Sequence, residues 1–295
     1  IAILIANLMM IVTIMLENGV GVYLEELTRL IVTFAGETGE VIQKAEIHEL
    51  AFCLGAYLVY MLLFFSTTRK HLILLCLTAF CFLSAFKRIA MAAIAVAVSL
   101  GWLLRWLHKR GKDKMVRRIA ILMLLVACAG LVAYIAFVRY GGFHALERMG
   151  IDTMSRADIY DEVEDYYTFS PAYIGHGMGY LSYQLTRIRD LWETAIHNDF
   201  LQFYIDLGFW GYIFWLLSLT VLRVKYFGSR NKIEGEILAF SMTCYILILS
   251  TTDNTLNYQM VYTATGILML GHGFDSNVQE ADKRLFGFVE KQNRR

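Results

Sequence analysis

The chain has 295 residues, 57% of them hydrophobic and 18% charged, with a formal net charge of +1. Mean hydropathy is +0.50, above that of a soluble domain, and the charges collect between long uncharged runs, the pattern of a polytopic membrane protein. With a charge this close to zero and no basic surface interleaved with aromatics, nothing points to a nucleic-acid partner.

Apolar runs predict an all-α chain with about eight membrane spans. In order they are Ile1–Leu16, Leu50–Ser66, His71–Phe86, Ile89–Leu107, Ile119–Val138, Phe200–Leu222, Ile237–Ser250 and Met260–Gly271. The opening run has no basic flank, so it reads as the end of a span in a longer protein and not as a signal peptide. The only proline is Pro171, so the spans should be free of proline kinks. Cys53, Cys76, Cys81, Cys128 and Cys244 all fall in apolar runs and read as small buried hydrophobes, not as disulfides or metal ligands.

Lys and Arg set the orientation. Trp106–Arg118 is strongly basic; Arg223, Lys225, Arg230 and Lys232 form a second basic connection, Arg69 and Lys70 a third, and the tail 272–295 is basic. With the spans above, all of these share the cytoplasmic side. Residues 1–271 then form one transmembrane domain. The other side receives Glu17–Glu49, with the amphipathic stretch GVYLEELTRLIVTFAG, and the long loop 139–196. A loop of that length in a compact protein is functional or disordered, and its Tyr and Gly content favours function.

Four places could carry chemistry. Lys87 and Arg88 separate a pair of apolar runs. Cations there snorkel, or they hold an anion. In the loop, Arg156 and Tyr160 precede the segment IGHGMG, in which Gly175, His176 and Gly177 lie. Alternate glycines let a backbone approach a ligand or make a tight turn. Arg187 and Arg189 can pair with the acidic run Asp161–Asp165. Next, HNDFLQFYIDLGFWG puts His197, Asn198 and Asp199 at the mouth of an apolar helix, with Asp199, Gln202 and Asp206 on one polar face. Gly208 and Gly211 suit close helix packing beneath it. Last, TTDNTLNY holds Asp253 and Asn254, which read most simply as a helix cap. Arginine suits phosphate through its planar fork, and histidine suits proton removal near neutral pH. Together they fit group transfer from a lipid-linked phosphate donor. No GxSxG or HExxH motif occurs, which weakens hydrolase readings.

HNDFLQFYIDLGFWG resembles the HN-x-x-L-x-x-x-x-E-x-G-x-x-G signature of the O-antigen ligase and polysaccharide polymerase superfamily, with Asp206 in place of the usual Glu. YIGHGMGY resembles the GhG segment of the family's external loop, the Arg156…Tyr160 spacing resembles its Arg-x-x-x-aromatic element, and FKRIAMAAIAV resembles its basic element, with Lys87 where a small residue is commoner. The order along the chain is the family's, and the resemblance spans roughly Leu50 to Gly271. It implies a GT-C-like helical membrane fold and inverting, metal-independent glycosyl transfer, with no cofactor. The expected partners are a lipid-linked oligosaccharide donor and acceptor and membrane lipid, with a chain-length regulator and a flippase as candidates. Arg88 and Arg156 would hold pyrophosphate and His197 would activate the acceptor hydroxyl. Lys87, Tyr160, Gly175, His176, Gly177, Asn198, Asp199 and Asp206 would line the substrate site. The resemblance also implies further spans ahead of this region.

The leading expectation is a polymerase of undecaprenyl-pyrophosphate-linked repeat units in the bacterial inner membrane, acting on its outer face. Ligation of finished glycan to lipid A-core shares the same motifs. A flippase or transporter would use the polar face of Asp199–Asp206 as a path, but no inverted repeat is visible in the sequence. A scaffold would leave Lys87, Arg88 and His197 without a role.

Overall fold

The structure is a computed structural model that describes residues 2–33, 40–45, 47–65, 68–85, 87–150, 153, 156–187, 196–230, 232–255 and 258–272. Among the described residues the regular structure is helical throughout, with no strand. In chain order the helices are α1 (Ala2–Asn18), α2 (Val20–Thr33), α3 (Glu40–Ala45), α4 (His48–Phe64), α5 (Arg69–Ser84), α6 (Arg88–Lys109), α7 (Asp113–Arg139), α8 (Gly142–Arg148), α9 (Arg156–Glu162), α10 (Tyr180–Leu185), α11 (Asp199–Leu217), α12 (Arg223–Arg230) and α13 (Ile233–Leu249). A single 3-10 turn covers Glu164–Tyr166, a π-helical turn, Ser218–Leu222, joins α11 to α12, and a last helix covers 259–272.

Helices stand at all the apolar runs, but their lengths divide them. α6, α7 and the continuous stretch Asp199–Gly228 are long and apolar enough to cross a membrane, and α1 with α2 makes a fourth if that bent pair is one span. Among the described residues the expectation of about eight spans is therefore corrected to three or four candidate spans. α4, α5 and α13 have 17, 16 and 17 residues. At about 1.5 Å per residue these rise some 24–26 Å, less than the roughly 30 Å hydrocarbon core. α1 and α2 meet at 114°, where Gly19 takes a φ of +93°. The amphipathic stretch after the first run does form a helix: Tyr23, Leu27 and Leu30 of α2 are its buried stripe.

The chain divides into two compact units, residues 1–106, 227–245 and 258–295 in one, and residues 107–226 and 246–257 in the other. In the first, α1 packs on α2, α3, α4 and α5, and α4 packs on α5. α4 is apolar on every side, so it is a core helix: Phe52, Cys53, Leu54 and Val59 are all buried. Its Gly55 makes room for Tyr245, whose hydroxyl donates to Phe52 O at 2.8 Å; a Cβ at Gly55 would lie 2.1 Å from that hydroxyl.

In the second unit, α7 packs against α11. The buried face of α7 reads Val116, Ala120, Leu124, Cys128, Ile135 and Val138, mostly four residues apart, as one helix face requires. The long connection after α7 is built of α8, α9, the 3-10 turn and α10, and α10 packs on α11. Cys53, Cys81 and Cys128 are buried as expected, but Cys76 is exposed, a correction to its reading as a buried hydrophobe.

Candidate functional site

The mouth of α11 carries a buried polar cluster in the second unit. Asn198 caps the helix: its Oδ1 accepts from Leu201 N at 3.1 Å. Its Nδ2 donates to the Tyr134 hydroxyl at 3.0 Å and to the Tyr160 hydroxyl at 3.1 Å. One amide therefore ties α7, α9 and α11 together. The reversed amide would set a donor against the Leu201 N–H, so the hydrogen-bond network decides its orientation. Asn198 and Asp199 are fully buried. Burial pushes the Tyr160 hydroxyl up from its ordinary value, against the Asn198 and Tyr134 hydrogen bonds and the Arg156 charge, so it stays a neutral phenol.

His197 stands immediately before this cap. It is half-buried, and among the described residues it is the one non-glycine with positive φ, +50°. A left-handed non-glycine costs about 1–2 kcal/mol. The turn leads directly into Asn198, which caps the helix in an extended conformation (φ −159°, ψ 92°). Strain of this kind collects at functional sites.

The loop carrying Gly175, His176 and Gly177 docks on α11 at a break in that helix. Gly208 has φ 72° and ψ 179°, which is not helical. Phe209 N, whose regular partner would be Ile205 O, donates to Tyr173 O at 2.9 Å. Ile205 O in turn accepts from His176 N at 3.3 Å and from the Tyr173 hydroxyl at 2.8 Å, and Asp206 O accepts from Gly177 N at 2.8 Å. The groups freed by the break are satisfied by the loop, as buried backbone demands. The Asp206 carboxylate completes the joint, accepting from Gly179 N at 2.8 Å and Leu181 N at 3.0 Å. Asp206 and Gln202 of the polar stripe therefore face the loop and α10, where Gln202 Nε2 also donates to Ser182 Oγ at 3.1 Å. His176 is exposed, its Nε2 is 2.8 Å from Tyr166 O, and its ring stacks on Tyr180 with centroids 4.1 Å apart.

The expectation of helix packing at Gly208 and Gly211 is corrected here. Gly208 meets the backbone of Ile174 and Gly175, and the nearest atom to a Cβ at Gly211 belongs to Leu207 of the same helix.

Arg156 opens α9. Its Nη2 donates to Thr252 O at 3.2 Å and its Nη1 reaches Thr153 O at 3.5 Å, while Nε is buried and has no hydrogen-bond partner among the described residues. Three successive carbonyls after α13 serve three members of this cluster: Ser250 O accepts from Asp199 N at 3.1 Å, Thr251 O from the Tyr134 hydroxyl at 3.5 Å and Thr252 O from Arg156. Such carbonyls carry the negative end of a helix dipole, which suits a guanidinium. In the sequence this turn reads only as a cap, and nothing there singles out Tyr134. Backbone carbonyls leave no residue signature, and Tyr134 lies inside an apolar run.

Lys87 and Arg88 belong to the first unit. Arg88 is the first residue of α6 and is exposed, and Lys87 precedes it, its carbonyl accepting from Met91 N at 3.1 Å. No acidic residue lies in the first turn of α6. Cations at the positive end of a helix are locally unfavourable, and together with the free N–H groups they form an anion-attracting surface. Among the described residues no group of three or more His, Cys, Asp or Glu could hold a metal ion.

Residues 72–216, from α5 into the body of α11, match the family model described as O-Antigen ligase. Over this segment, 145 of the 295 residues, the chain is similar to the O-antigen ligase family. The matched span includes Lys87, Arg88, Arg156, Gly175, His197 and Gly211. No curated protein and no solved structure matches the chain.

Proposed function

We propose that this protein is an extracytoplasmic, inverting, metal-independent glycosyltransferase of the bacterial inner membrane that polymerises undecaprenyl-pyrophosphate-linked oligosaccharide repeat units into a surface polysaccharide. The observation that carries this reading is the cluster at the mouth of α11. His197 is held in a strained turn beside a buried cap, on an element joined through Asn198 to the helix that begins with Arg156.

In the reaction an acceptor sugar hydroxyl attacks the anomeric carbon of the donor. The new C–O bond forms as the bond to the pyrophosphate oxygen breaks. His197 takes the hydroxyl proton, and Arg88 and Arg156 neutralise the charge that builds on the departing pyrophosphate. Fixed cations act more strongly on that developing charge than on the ground state. General-base action of this kind is worth about 10²–10⁴ in rate. Asn198, Asp199, Asp206, Gly175 and Gly177 act as positioning residues, since their contacts described above are with the protein itself. The basic segments at 106–118 and 223–232 support an inward-facing side opposite the site. Both substrates have lipid tails, so their reacting heads meet at the membrane surface, which accounts for a polar cluster at the mouth of an apolar helix.

A second reading, transfer of finished glycan to lipid A-core, is favoured by the description of the matched family. Wild-type protein in membranes, given lipid-linked repeat units with and without a lipid A-core acceptor, separates the two. A ladder of lengthened lipid-linked glycan supports the polymerase. Product only on lipid A-core supports the ligase, and neither product overturns glycosyl transfer.

A further inference from the structure

A cavity of about 690 Å³ opens in the second unit between the end of α7, α8, α9 and the 3-10 turn. Its size falls in the roughly 300–1,000 Å³ range of small-molecule sites. Tyr160, whose hydroxyl accepts from Asn198, is one of its walls. The cavity therefore shares a side chain with the cluster at the mouth of α11.

The charges on its wall decide what it can take. Arg139 is paired with Glu164, and His144 Nε2 lies 2.8 Å from Asp161. The Arg139 guanidinium also covers the Tyr167 ring at 5.7 Å. Each cation is thus matched by a carboxylate before any ligand arrives. A pyrophosphate would meet Asp161 and Glu164 as well as Arg139, and like charges in a concave site disfavour it. An uncharged polyol meets no such opposition. Carboxylates accept from hydroxyl groups, guanidinium and phenol donate to them, and aromatic edges and faces cover the apolar side of a sugar ring.

We propose that this cavity is a glycan subsite that takes uncharged, hydroxyl-rich sugar units of a substrate oligosaccharide, distinct in chemistry from the site that holds pyrophosphate. The proposal rests on the glycosyl-transfer reading above. It assigns Asp161, Glu164 and Arg139 to sugar recognition and Tyr160 to the junction between sugar binding and the α11 cluster.

The test is saturation-transfer NMR on full-length protein in nanodiscs, with lipid-free repeat-unit oligosaccharide released from its precursor by mild acid. Three variants are compared with wild type: Glu164→Gln, Asp161→Asn and Thr168→Trp, the last an exposed wall position at which a bulky ring fills the cavity. The expected result is oligosaccharide binding by wild type that is at least tenfold weaker in Thr168→Trp and in the two carboxylate variants, and that excess inorganic pyrophosphate does not displace. Displacement by pyrophosphate, binding unchanged in all three variants, or no oligosaccharide binding by wild type would each overturn the subsite. The wild-type ladder assay, run on the same preparation, tells whether the transfer reading stands when the subsite fails.

Discussion

A Cβ on Gly175 would lie 2.4 Å from Gly208 N, and a Cβ on Gly208 would lie 2.3 Å from the carbonyl carbon of Ile174. Two backbones cross there with nothing between them, each at a glycine of positive φ, 76° and 72°. The crossing lets the loop take over the hydrogen-bonding groups that the break in α11 releases, and it sets the distance between the loop and the helix that begins at Asp199.

Gly175→Ala and Gly208→Ala are each expected to cost about 2–5 kcal/mol, from left-handed strain together with overpacking against backbone that cannot move aside. Gly130→Ala in α7, where a Cβ meets nothing within 4 Å, should be neutral or slightly stabilising. Thermal unfolding of the three variants in nanodiscs checks this. Equal midpoints for all three would show that the crossing is not a fixed joint.

Asn198 should not tolerate Asp. The carboxylate keeps the cap to Leu201 N but loses both donors to Tyr134 and Tyr160 and buries a charge, at an expected cost of about 3–5 kcal/mol. A double-mutant cycle of Asn198→Ala with Tyr160→Phe should give a coupling of about 0.5–1.5 kcal/mol. Additive losses would show that the hydrogen bond across α9 and α11 contributes nothing.

The left-handed turn at His197 predicts an ordering of variants. His197→Gly should be more stable than His197→Ala by about 1 kcal/mol, because Ala keeps the strain and Gly relieves it. Both should be inactive. Chemical unfolding measures the first statement and the glycan ladder the second. An Ala variant at least as stable as Gly would show that the turn stores no strain.

His144 supplies a pH signature. The Asp161 hydrogen bond and charge, followed by Glu147, raise its imidazole above the ordinary 6.5. A raised folded value means that the α8–α9 contact gains from the imidazolium fully below about pH 6.5 and loses that gain as pH rises through the folded value. An NMR titration of the His144 ring should give a midpoint above 6.5 in wild type, falling in Asp161→Asn. A midpoint that does not move with Asp161→Asn would contradict the pairing.

The site's residues are easier to see in the sequence than the work they do. His197, Asn198, Arg156 and the loop glycines stand out by type and spacing, and the family match covers them. The stripe of Asp199, Gln202 and Asp206 is visible as a helix face, but that Asp206 accepts from the backbone of Gly179 and Leu181 is not, because backbone N–H and C=O groups carry no residue signature. The break at Gly208 is hidden inside a run whose hydropathy reads as one continuous helix. Spans are overcounted for a related reason: hydropathy registers an apolar helix of 17 residues, such as α4, and only its length separates a core helix from a crossing one.

The central claim is that His197, Arg88 and Arg156 carry glycosyl transfer, and one assay tests it most directly. Full-length wild type and the His197→Ala, Arg88→Ala and Arg156→Ala variants, each shown to fold, are given lipid-linked repeat units in membranes, and the product is resolved as a ladder on a gel. The expected result is a wild-type ladder and a loss of about 10²-fold or more in rate for each variant. Variants that lengthen glycan at the wild-type rate would contradict the claim.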